Sequence, residues 1–256
     1  MIDMHSHILF GVDDGAISLE DSLDLIREEI KKGVNKIILT PHLKKRQKDA
    51  SIDLINENFK VLSRAVSEEK LEIELFLGCE VYLDYNYYDT ICKESIITLA
   101  DSDYILIEFS MTDIPKNIPE ICYEASLKGY IPIIAHVERY DILYDNNKLI
   151  KDILNEGAHF QVNASAVINK ENRESHKFVN YLLKNELVSF VASDVHNRES
   201  RRFYLYEAYK TVNKICSHNY AEKIFKENQE NIITNKYFDS PRLKSSKKGL
   251  ISKLFK

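Results

Sequence analysis

Short apolar runs alternate with amphipathic helical stretches along most of the chain. After the first run, apolar residues recur at helical spacing from Leu19 to Ile30, with Ser18 placed to cap the helix and Gly33 placed to end it. The same unit then repeats, with further helices predicted over about 51–70 and 118–128. The apolar runs predicted as strands are 2–8, 36–42, 72–83, 104–110, 131–137, 159–163 and 189–196.

Seven apolar strands separated by helices indicate an α/β fold with parallel pairing, in which helices cover the faces of the sheet. A closed or nearly closed barrel explains this number more simply than an open sheet, because a barrel leaves no polar edge. Proline and glycine are few and scattered, and no linker interrupts the chain. We therefore predict one domain over 1–235 and a basic, flexible tail over 236–256.

The amino-acid composition indicates the class of protein and its cellular location. Hydrophobic residues make up 44% of the 256 and charged residues 29%, as in ordinary globular proteins. The four cysteines form no CxxC pair, which disfavours a zinc ribbon or a disulfide framework and fits a reducing cytosol. No signal sequence or membrane-length apolar stretch is present, so a cytoplasmic location is predicted.

Charge is distributed unevenly. Residues 236–256 carry seven basic residues against one acidic residue, a net charge of +6, which leaves −11 for the rest of the chain. An acidic body disfavours nucleic-acid binding. Within the tail, basic residues mix with Leu250, Ile251, Leu254 and Phe255, so that it can either lie weakly on an anionic membrane or partner, or remain solvated.

Metal-capable side chains mark the ends of the predicted strands. His5 and His7 lie two residues apart in the first run, which places both imidazoles on one face of a strand. This pair alone fits two partly buried histidines equally well. Six of the seven strands, however, end near such a residue, and Asp14 follows in the first loop. The set is His5, His7, Asp14, His42, Glu80, Glu108, His136, Asp194 and His196.

Each member of this set also has a simple structural explanation, such as a salt bridge for Glu108 or a loop position for His42. The placement of the whole set favours a multinuclear metal site, because the loops of a β/α barrel converge at the carboxyl ends of its strands. Five imidazoles and four carboxylates suit Mn²⁺, Fe²⁺ or Zn²⁺ better than Ca²⁺ or Mg²⁺. Asn163 either lines this site or caps a turn.

The motifs around these residues resemble a known family. They are Asp3-Met4-His5-Ser6-His7, Asp13-Asp14-Gly15, Thr40-Pro41-His42, Gly78-Cys79-Glu80, Ile107-Glu108-Phe109-Ser110, Ala135-His136-Val137-Glu138-Arg139-Tyr140 and Ser193-Asp194-Val195-His196. Together they resemble the polymerase-and-histidinol-phosphatase (PHP) superfamily. Within it they are most similar to the CpsB/CapC-type manganese-dependent protein-tyrosine phosphatases of capsule and exopolysaccharide loci.

The resemblance implies a distorted (β/α)7 TIM-like barrel of the PHP type with three divalent metal ions, Mn²⁺ first and Fe²⁺ or Zn²⁺ as alternatives. The nine residues above would be the ligands, with Glu80 and Glu108 as bridging carboxylates. Arg139 and Arg201 would hold phosphate, since a guanidinium group matches two phosphate oxygens. Arg202-Phe203 follows Arg201 where the family pattern has prolines.

The function implied is removal of phosphate from the phosphotyrosine-rich tail of a partner bacterial tyrosine kinase, which regulates polysaccharide synthesis. Two alternatives stay open: a small-molecule phosphatase acting on histidinol phosphate, and a noncatalytic metal-bound scaffold that regulates a kinase. Cysteine-based phosphatase chemistry is excluded, because it requires a Cys-x5-Arg loop. The sixth residue after each cysteine is Tyr85, Thr98, Lys128 or Glu222.

Overall fold

The computed structural model of the protein describes residues 1–43, 50–84, 87–93 and 95–243. Over these residues nine strands form, and every strand pair is parallel. They are β1 Ile2–Asp3, β2 Lys36–Leu39, β3 His42–Leu43, β4 Glu74–Leu77, β5 Glu80–Leu83, β6 Tyr104–Phe109, β7 Ile131–Ile134, β8 His159–Asn163 and β9 Phe190–Ala192.

Helices follow the strands and cover the outside of the sheet. In chain order they are α1 Leu19–Lys31, α2 Ile52–Glu68, α3 Tyr87–Lys93, α4 Ile118–Leu127, α5 Asn147–Asn155, α6 Ala164–Val167, α7 Arg173–Lys184, α8 Leu205–Ile215, α9 His218–Glu222 and α10 Asn228–Ile233. The segment Lys223–Glu227 between the last two is a π-helix, and short 3₁₀ turns form at Leu99–Asp101, Val137–Arg139 and Asp141–Leu143. The helix predicted from its capping pattern is confirmed, since Ser18 and Asp21 form a capping box at α1.

Two of the predicted strands are each divided in two, which gives nine strands instead of seven. The predicted strand 36–42 is interrupted before β3 at Pro41, which has no backbone N–H to offer the ladder. The predicted strand 72–83 is interrupted at Gly78, where a Cβ would lie only 2.7 Å from the side chain of Leu99. The chain shifts at both points, so the strands form a three-stranded sheet, β1-β2-β4, and a six-stranded sheet, β3-β5-β6-β7-β8-β9.

The last strand returns to the first and closes the barrel. Ser6 and Val195 form a parallel bridge, the His7 N–H donates to the Val195 carbonyl at 2.8 Å, and the Asp194 N–H donates to the His5 carbonyl at 2.9 Å. Because only two residues of β1 pair regularly, the barrel is distorted. The predicted fold class, a distorted seven-unit β/α barrel, is confirmed.

The strand period of two separates the core into an outer and an inner layer. Along β6, Ile105 and Ile107 belong to the large cluster that packs against the helices. Tyr104 and Leu106 belong to a smaller cluster that includes Phe190 from β9 and Met4, which follows β1. The members of this smaller cluster are fully buried, so apolar side chains fill this inner layer of the barrel.

The first residues of the predicted tail contact the barrel. The ring of Phe238 lies 4.5 Å from that of His159, and the Tyr104 hydroxyl donates to the Lys236 carbonyl at 2.7 Å. The division at residue 235 stays a prediction, and the predicted behaviour of 245–256 lies outside the described residues. No helix in the described part of the chain is long and apolar enough to cross a membrane.

Candidate active site

All nine side chains predicted as metal ligands meet at the carboxyl end of the barrel, and we call them the His/carboxylate cluster. Their backbones lie at or just beyond the ends of β1, β6, β7 and β9, at the starts of β3 and β5, and in the loop that follows β1. Eight of the nine are buried, and Asp14 is exposed. The barrel therefore collects imidazoles and carboxylates from strands that are far apart in sequence.

Glu80 occupies the middle of this cluster. Its Oε1 lies 2.8 Å from Nε2 of His136 and 3.5 Å from Nε2 of His5. Its Oε2 lies 2.8 Å from Nδ1 of His42 and 3.4 Å from Nε2 of His7. The two oxygens of one carboxylate thus face two different pairs of histidines, which is the arrangement expected of a carboxylate shared between two cations.

Glu108 faces two of the same histidines from β6. Its Oε2 lies 3.6 Å from Nδ1 of His42, and its Oε1 lies 3.7 Å from Nε2 of His136. His42, Glu80 and Glu108 are close enough together to hold one ion. The structure therefore places both predicted bridging carboxylates between the same imidazoles.

Asp194 shares two histidines with Glu80 and also faces a third. Its Oδ1 lies 3.5 Å from Nε2 of His5, 3.5 Å from Nε2 of His7 and 3.6 Å from Nδ1 of His196. Asp14 completes the set, with Oδ1 3.4 Å from Nε2 of His42 and 3.5 Å from Nε2 of His196. The residues that the sequence placed in one site are therefore brought into one site.

The geometry of the cluster fits divalent metal ions. Oδ1 of Asp194 is buried and makes no hydrogen bond, which is costly for a carboxylate. Separations near 3.5 Å exceed a hydrogen bond. They match two donor atoms on one cation, which stand roughly 3 to 3.5 Å apart when each lies about 2.0–2.2 Å from the metal.

Within the described residues, three overlapping groups of side chains are close enough to hold an ion. Each pair of groups has one residue in common, which is His7, His42 or Glu80. Their members are His7, Asp14, His42 and His196; His5, His7 and Glu80; and His42, Glu80 and Glu108. Because neighbouring groups have ligands in common, the arrangement is that of adjoining ion positions within one centre.

Partners outside the cluster fix the orientation of two histidines. Nδ1 of His7 lies 2.6 Å from Oδ2 of Asp13, and Nδ1 of His5 lies 3.1 Å from Oε1 of Gln161. Both partners are acceptors, so each imidazole keeps a proton on Nδ1 and turns Nε2 toward the cluster. Asp13 also accepts from the Gly15 N–H at 2.9 Å, and a Cβ at Gly15 would collide with the His7 carbonyl.

Burial and nearby charges shift the pKa values of two cluster histidines in opposite directions. Burial opposes a charge on His5, but the carboxylates of Glu80 and Asp194 outweigh it and raise the pKa of His5 to about 9. Burial, together with the positive charge of Arg139, lowers the pKa of His136 to about 4. Burial would raise the pKa of Glu80, but the imidazoles of His5 and His42 hold it well below its ordinary range. The cluster thus keeps the carboxylate of Glu80 ionised, as a cation site requires.

Two arginines meet at the outer oxygen of Asp194. Arg139 lies 3.1 Å and Arg201 2.7 Å from Oδ2, and Arg201 also donates to Nε2 of His196. Both line a cavity of about 180 Å³ beside the cluster, together with Lys170. A salt bridge with neighbouring Glu138 or Asp141 is the alternative that the sequence leaves for Arg139, but its ion pairs in the structure are with Asp194 and Glu171.

The sequence left some of these roles open and missed others. Asn163 donates to Oδ2 of Asp194 at 2.8 Å and makes no side-chain cap at α6, so it lines the site. Asp13 and Gln161 were not identified as partners of the histidines. Asp13 stood out only as part of a motif, while Gln161 shares the inward face of β8 with Asn163 through the strand period.

Comparison with known proteins agrees with this geometry. The family model described as capsular polysaccharide synthesis, CpsB/CapC, matches residues 1–234. Tyrosine-protein phosphatase CpsB of Streptococcus agalactiae serotype V is 35% identical over 242 residues, which cover 93% of this chain and all of that protein. Tyrosine-protein phosphatase CpsB of Streptococcus pneumoniae is 36% identical over 238 residues, covering 91% of this chain and 98% of that protein.

A solved structure supports the same grouping. It belongs to a study of YwqE from Bacillus subtilis and CpsB from Streptococcus pneumoniae, described as unique metal-dependent tyrosine phosphatases. The superposition gives a TM-score of 0.87 at 30% sequence identity and covers 94% of this chain and 98% of that chain. The similarity therefore extends over the whole barrel and is not confined to the site.

Proposed function

The chain belongs to the CpsB/CapC family. We infer that its phosphatase activity resides in the His/carboxylate cluster. It is a metal-dependent tyrosine-protein phosphatase, a phosphoric monoester hydrolase. The observation that carries the assignment of the site is Glu80, whose two oxygens face two different pairs of histidines inside a buried cluster.

We propose that the cluster holds three divalent ions, with Mn²⁺ as the first choice and Fe²⁺ or Zn²⁺ as alternatives. The nine side chains would be the ligands, and Glu80 and Glu108 would be shared between ions. The overlap of three potential ion positions through His7, His42 and Glu80 supports this number. Nitrogen and oxygen donors without thiolate suit these metals.

Divalent ions held by these residues would supply Lewis acidity, which would activate water and neutralise charge on the phosphoryl group. The protein contributes the rest. Arg139 and Arg201 place two guanidinium groups beside the cluster, where they can bind phosphate oxygens. The phenolate of tyrosine is a tolerable leaving group because its pKa is about 10, so the site does not depend on a strong general acid.

The natural substrate we propose is the phosphotyrosine-containing tail of a bacterial tyrosine kinase that controls polysaccharide synthesis. The capsule-synthesis description of the family supports this proposal. A cytoplasmic location follows from such a partner and stays a prediction, as does a membrane or partner contact of residues 245–256. The positive charges of Arg139, Lys170 and Arg201 in one cavity favour an anionic substrate.

Comparing two substrates tests the proposal. The metal-loaded protein should hydrolyse a phosphotyrosine peptide with a higher kcat/KM than histidinol phosphate. The reverse order would make it a small-molecule phosphatase, and no turnover of either by fully loaded protein would make it a scaffold. Glu108→Gln should lose turnover of both substrates, whereas Glu120→Gln on the exposed face of α4 should keep it.

A further inference from the structure

Strand β8 carries two buried amide side chains that no metal-binding group includes. His159, Gln161 and Asn163 alternate along the strand, so their side chains share its inward face, and all three are fully or almost fully buried. His159 lies low in the barrel against Phe190. Gln161 and Asn163 lie at the level of the His/carboxylate cluster, and we call this pair the amide relay.

The relay connects two cluster residues from opposite ends of the chain. Oε1 of Gln161 lies 3.1 Å from Nδ1 of His5, and Nε2 of Gln161 donates to Oδ1 of Asn163 at 2.9 Å. Nδ2 of Asn163 then donates to Oδ2 of Asp194 at 2.8 Å. His5 follows β1 and Asp194 follows β9. Strand β8, which holds no member of the cluster, therefore connects one member that follows the first strand with one that follows the last.

Neighbouring groups fix the direction of each hydrogen bond in the relay. The backbone N–H of His136 can only donate, and it reaches Oε1 of Gln161 at 2.8 Å. Gln161 must therefore direct its oxygen to His5 and its NH2 group to Asn163. The carboxylate of Asp194 can only accept, so Asn163 must direct its NH2 group there. Both ends specify the same orientation of the two amides.

This orientation determines what each cluster residue presents to a cation. His5 has to donate from Nδ1, which leaves Nε2 for the cluster. Asp194 has Oδ2 occupied by Asn163, Arg139 and Arg201, which leaves Oδ1 facing His5, His7 and His196. The relay also supports strained backbone, because His136 adopts a left-handed conformation with φ 32° and is held by Gln161.

We propose that Gln161 and Asn163 are positioning residues of the metal centre, which orient His5 and Asp194 before any ion binds. Their contribution is to metal affinity, because ligands that are already oriented lose less freedom on binding. This inference rests on the proposed metal-dependent function of the cluster.

The test compares isosteric variants by their affinity for Mn²⁺. Gln161→Met and Asn163→Leu remove the relay while keeping side-chain volume. Calorimetric titration of metal-stripped protein should show a dissociation constant for Mn²⁺ that is 10- to 100-fold larger for each variant. This is the range found when a hydrogen-bond partner of a metal ligand is removed. The double variant should lose less than the product of the two, since both act through one chain of hydrogen bonds.

Gln229→Met is the matched control. Gln229 is equally buried, and its amide donates to the carbonyl oxygens of Ile224 and Val191. It should lower the melting temperature about as much as Gln161→Met while leaving the affinity for Mn²⁺ unchanged. If the two variants change metal affinity equally, or Gln161→Met binds Mn²⁺ as the wild-type protein does, the relay has no positioning role.

Two measurements keep the inference testable if Gln161→Met does not fold. Asn163→Leu leaves both hydrogen bonds that Oε1 of Gln161 accepts and removes only the link to Asp194, so it should still bind Mn²⁺ more weakly. In Zn²⁺-loaded wild-type protein, ¹⁵N NMR should find the ring proton of His5 on Nδ1, and its absence there would overturn the relay. If wild-type protein binds no metal at all, the proposed function fails first, and this result is distinct from unchanged affinity in the variants.

Discussion

Oδ2 of Asp13 lies 2.6 Å from Nδ1 of His7 and also accepts the backbone N–H of His42 at 3.0 Å. A single carboxylate outside the His/carboxylate cluster therefore orients one of its imidazoles and anchors the backbone of a second. Such partners raise the basicity of a ligand histidine and fix its ring. Asp13 follows β1 in a loop that can approach so closely only because Gly15 has no Cβ.

Replacing Asp13 by Asn should weaken metal binding without unfolding the protein. The amide oxygen can still accept the hydrogen bonds from His7 and from the His42 N–H, but it no longer stabilises the Nδ1 proton of His7 with a charge. We expect affinity for Mn²⁺ to fall about 10- to 100-fold. Calorimetry on metal-stripped protein measures this. Asp24→Asn, which changes a surface carboxylate paired with Arg27 and Arg198, is the control that should bind metal normally.

Replacing Arg139 should impair phosphate binding without impairing metal binding. Arg139→Ala should keep its metal content, because Arg201 and Asn163 lie closer to Oδ2 of Asp194 than Arg139 does and still hold it. Turnover of a phosphotyrosine peptide should fall by about two to three orders of magnitude, the scale seen when a preorganised charge partner of the transition state is removed. Lysine should rescue only partly, since one ammonium group cannot form the bidentate contact.

Arg27→Ala provides the comparison for Arg139. Arg27 is held by Glu20, Asp24 and Glu69 on the surface, so its loss should leave turnover unchanged. Metal content, melting temperature and turnover are measured on the same preparation. A lower melting temperature with normal turnover in Arg139→Ala would show that the arginine serves only its ion pairs with Asp194 and Glu171.

His159 should make the barrel sensitive to acid independently of the metal centre. Burial lowers its pKa to about 3 from an ordinary value near 6.5. Below pH 6.5 the unfolded chain takes up a proton that the folded protein refuses, so the free energy of unfolding falls by up to about 1.4 kcal/mol per pH unit. Stability is therefore fully present above pH 6.5 and is lost progressively toward pH 3.

Urea unfolding of metal-stripped protein at pH 7 and pH 4.5 measures this effect. His159→Phe cannot take up the proton, so the wild-type protein should lose about 2 to 3 kcal/mol more than the variant between these pH values. His218→Phe, at an exposed position, should follow the wild type. Identical pH dependence in His159→Phe and the wild type would show that His159 contributes nothing to acid sensitivity.

Thiol alkylation should leave turnover unchanged. Cys79 adjoins Glu80 in sequence, but it is fully buried, and burial raises its pKa, as it does for Cys122. Neither thiol is available as a thiolate nucleophile at neutral pH. Iodoacetamide treatment followed by mass spectrometry and a turnover assay checks this. Loss of activity in proportion to the alkylation of one cysteine would place a thiol in the chemistry.

The local pattern of the sequence predicted the barrel and its ligand-bearing strand ends, because alternating strands and helices admit few topologies. It did not predict where strands break. Pro41 and Gly78 interrupt two of them through a missing N–H and through contact with Leu99. The sequence also missed Gln161, since its role depends on which strand lies next to β8 and on what His136 donates.

Metal content measured together with turnover tests the central claim most directly. Purified protein should carry more than one equivalent of transition metal, and chelation should abolish hydrolysis of a phosphotyrosine peptide. Adding Mn²⁺ back should restore turnover as the sites fill. The oxygens of Glu80 and the ring nitrogens of the histidines around it face one another, so both can bind the same ions. Full turnover by protein shown to be metal-free would contradict the account.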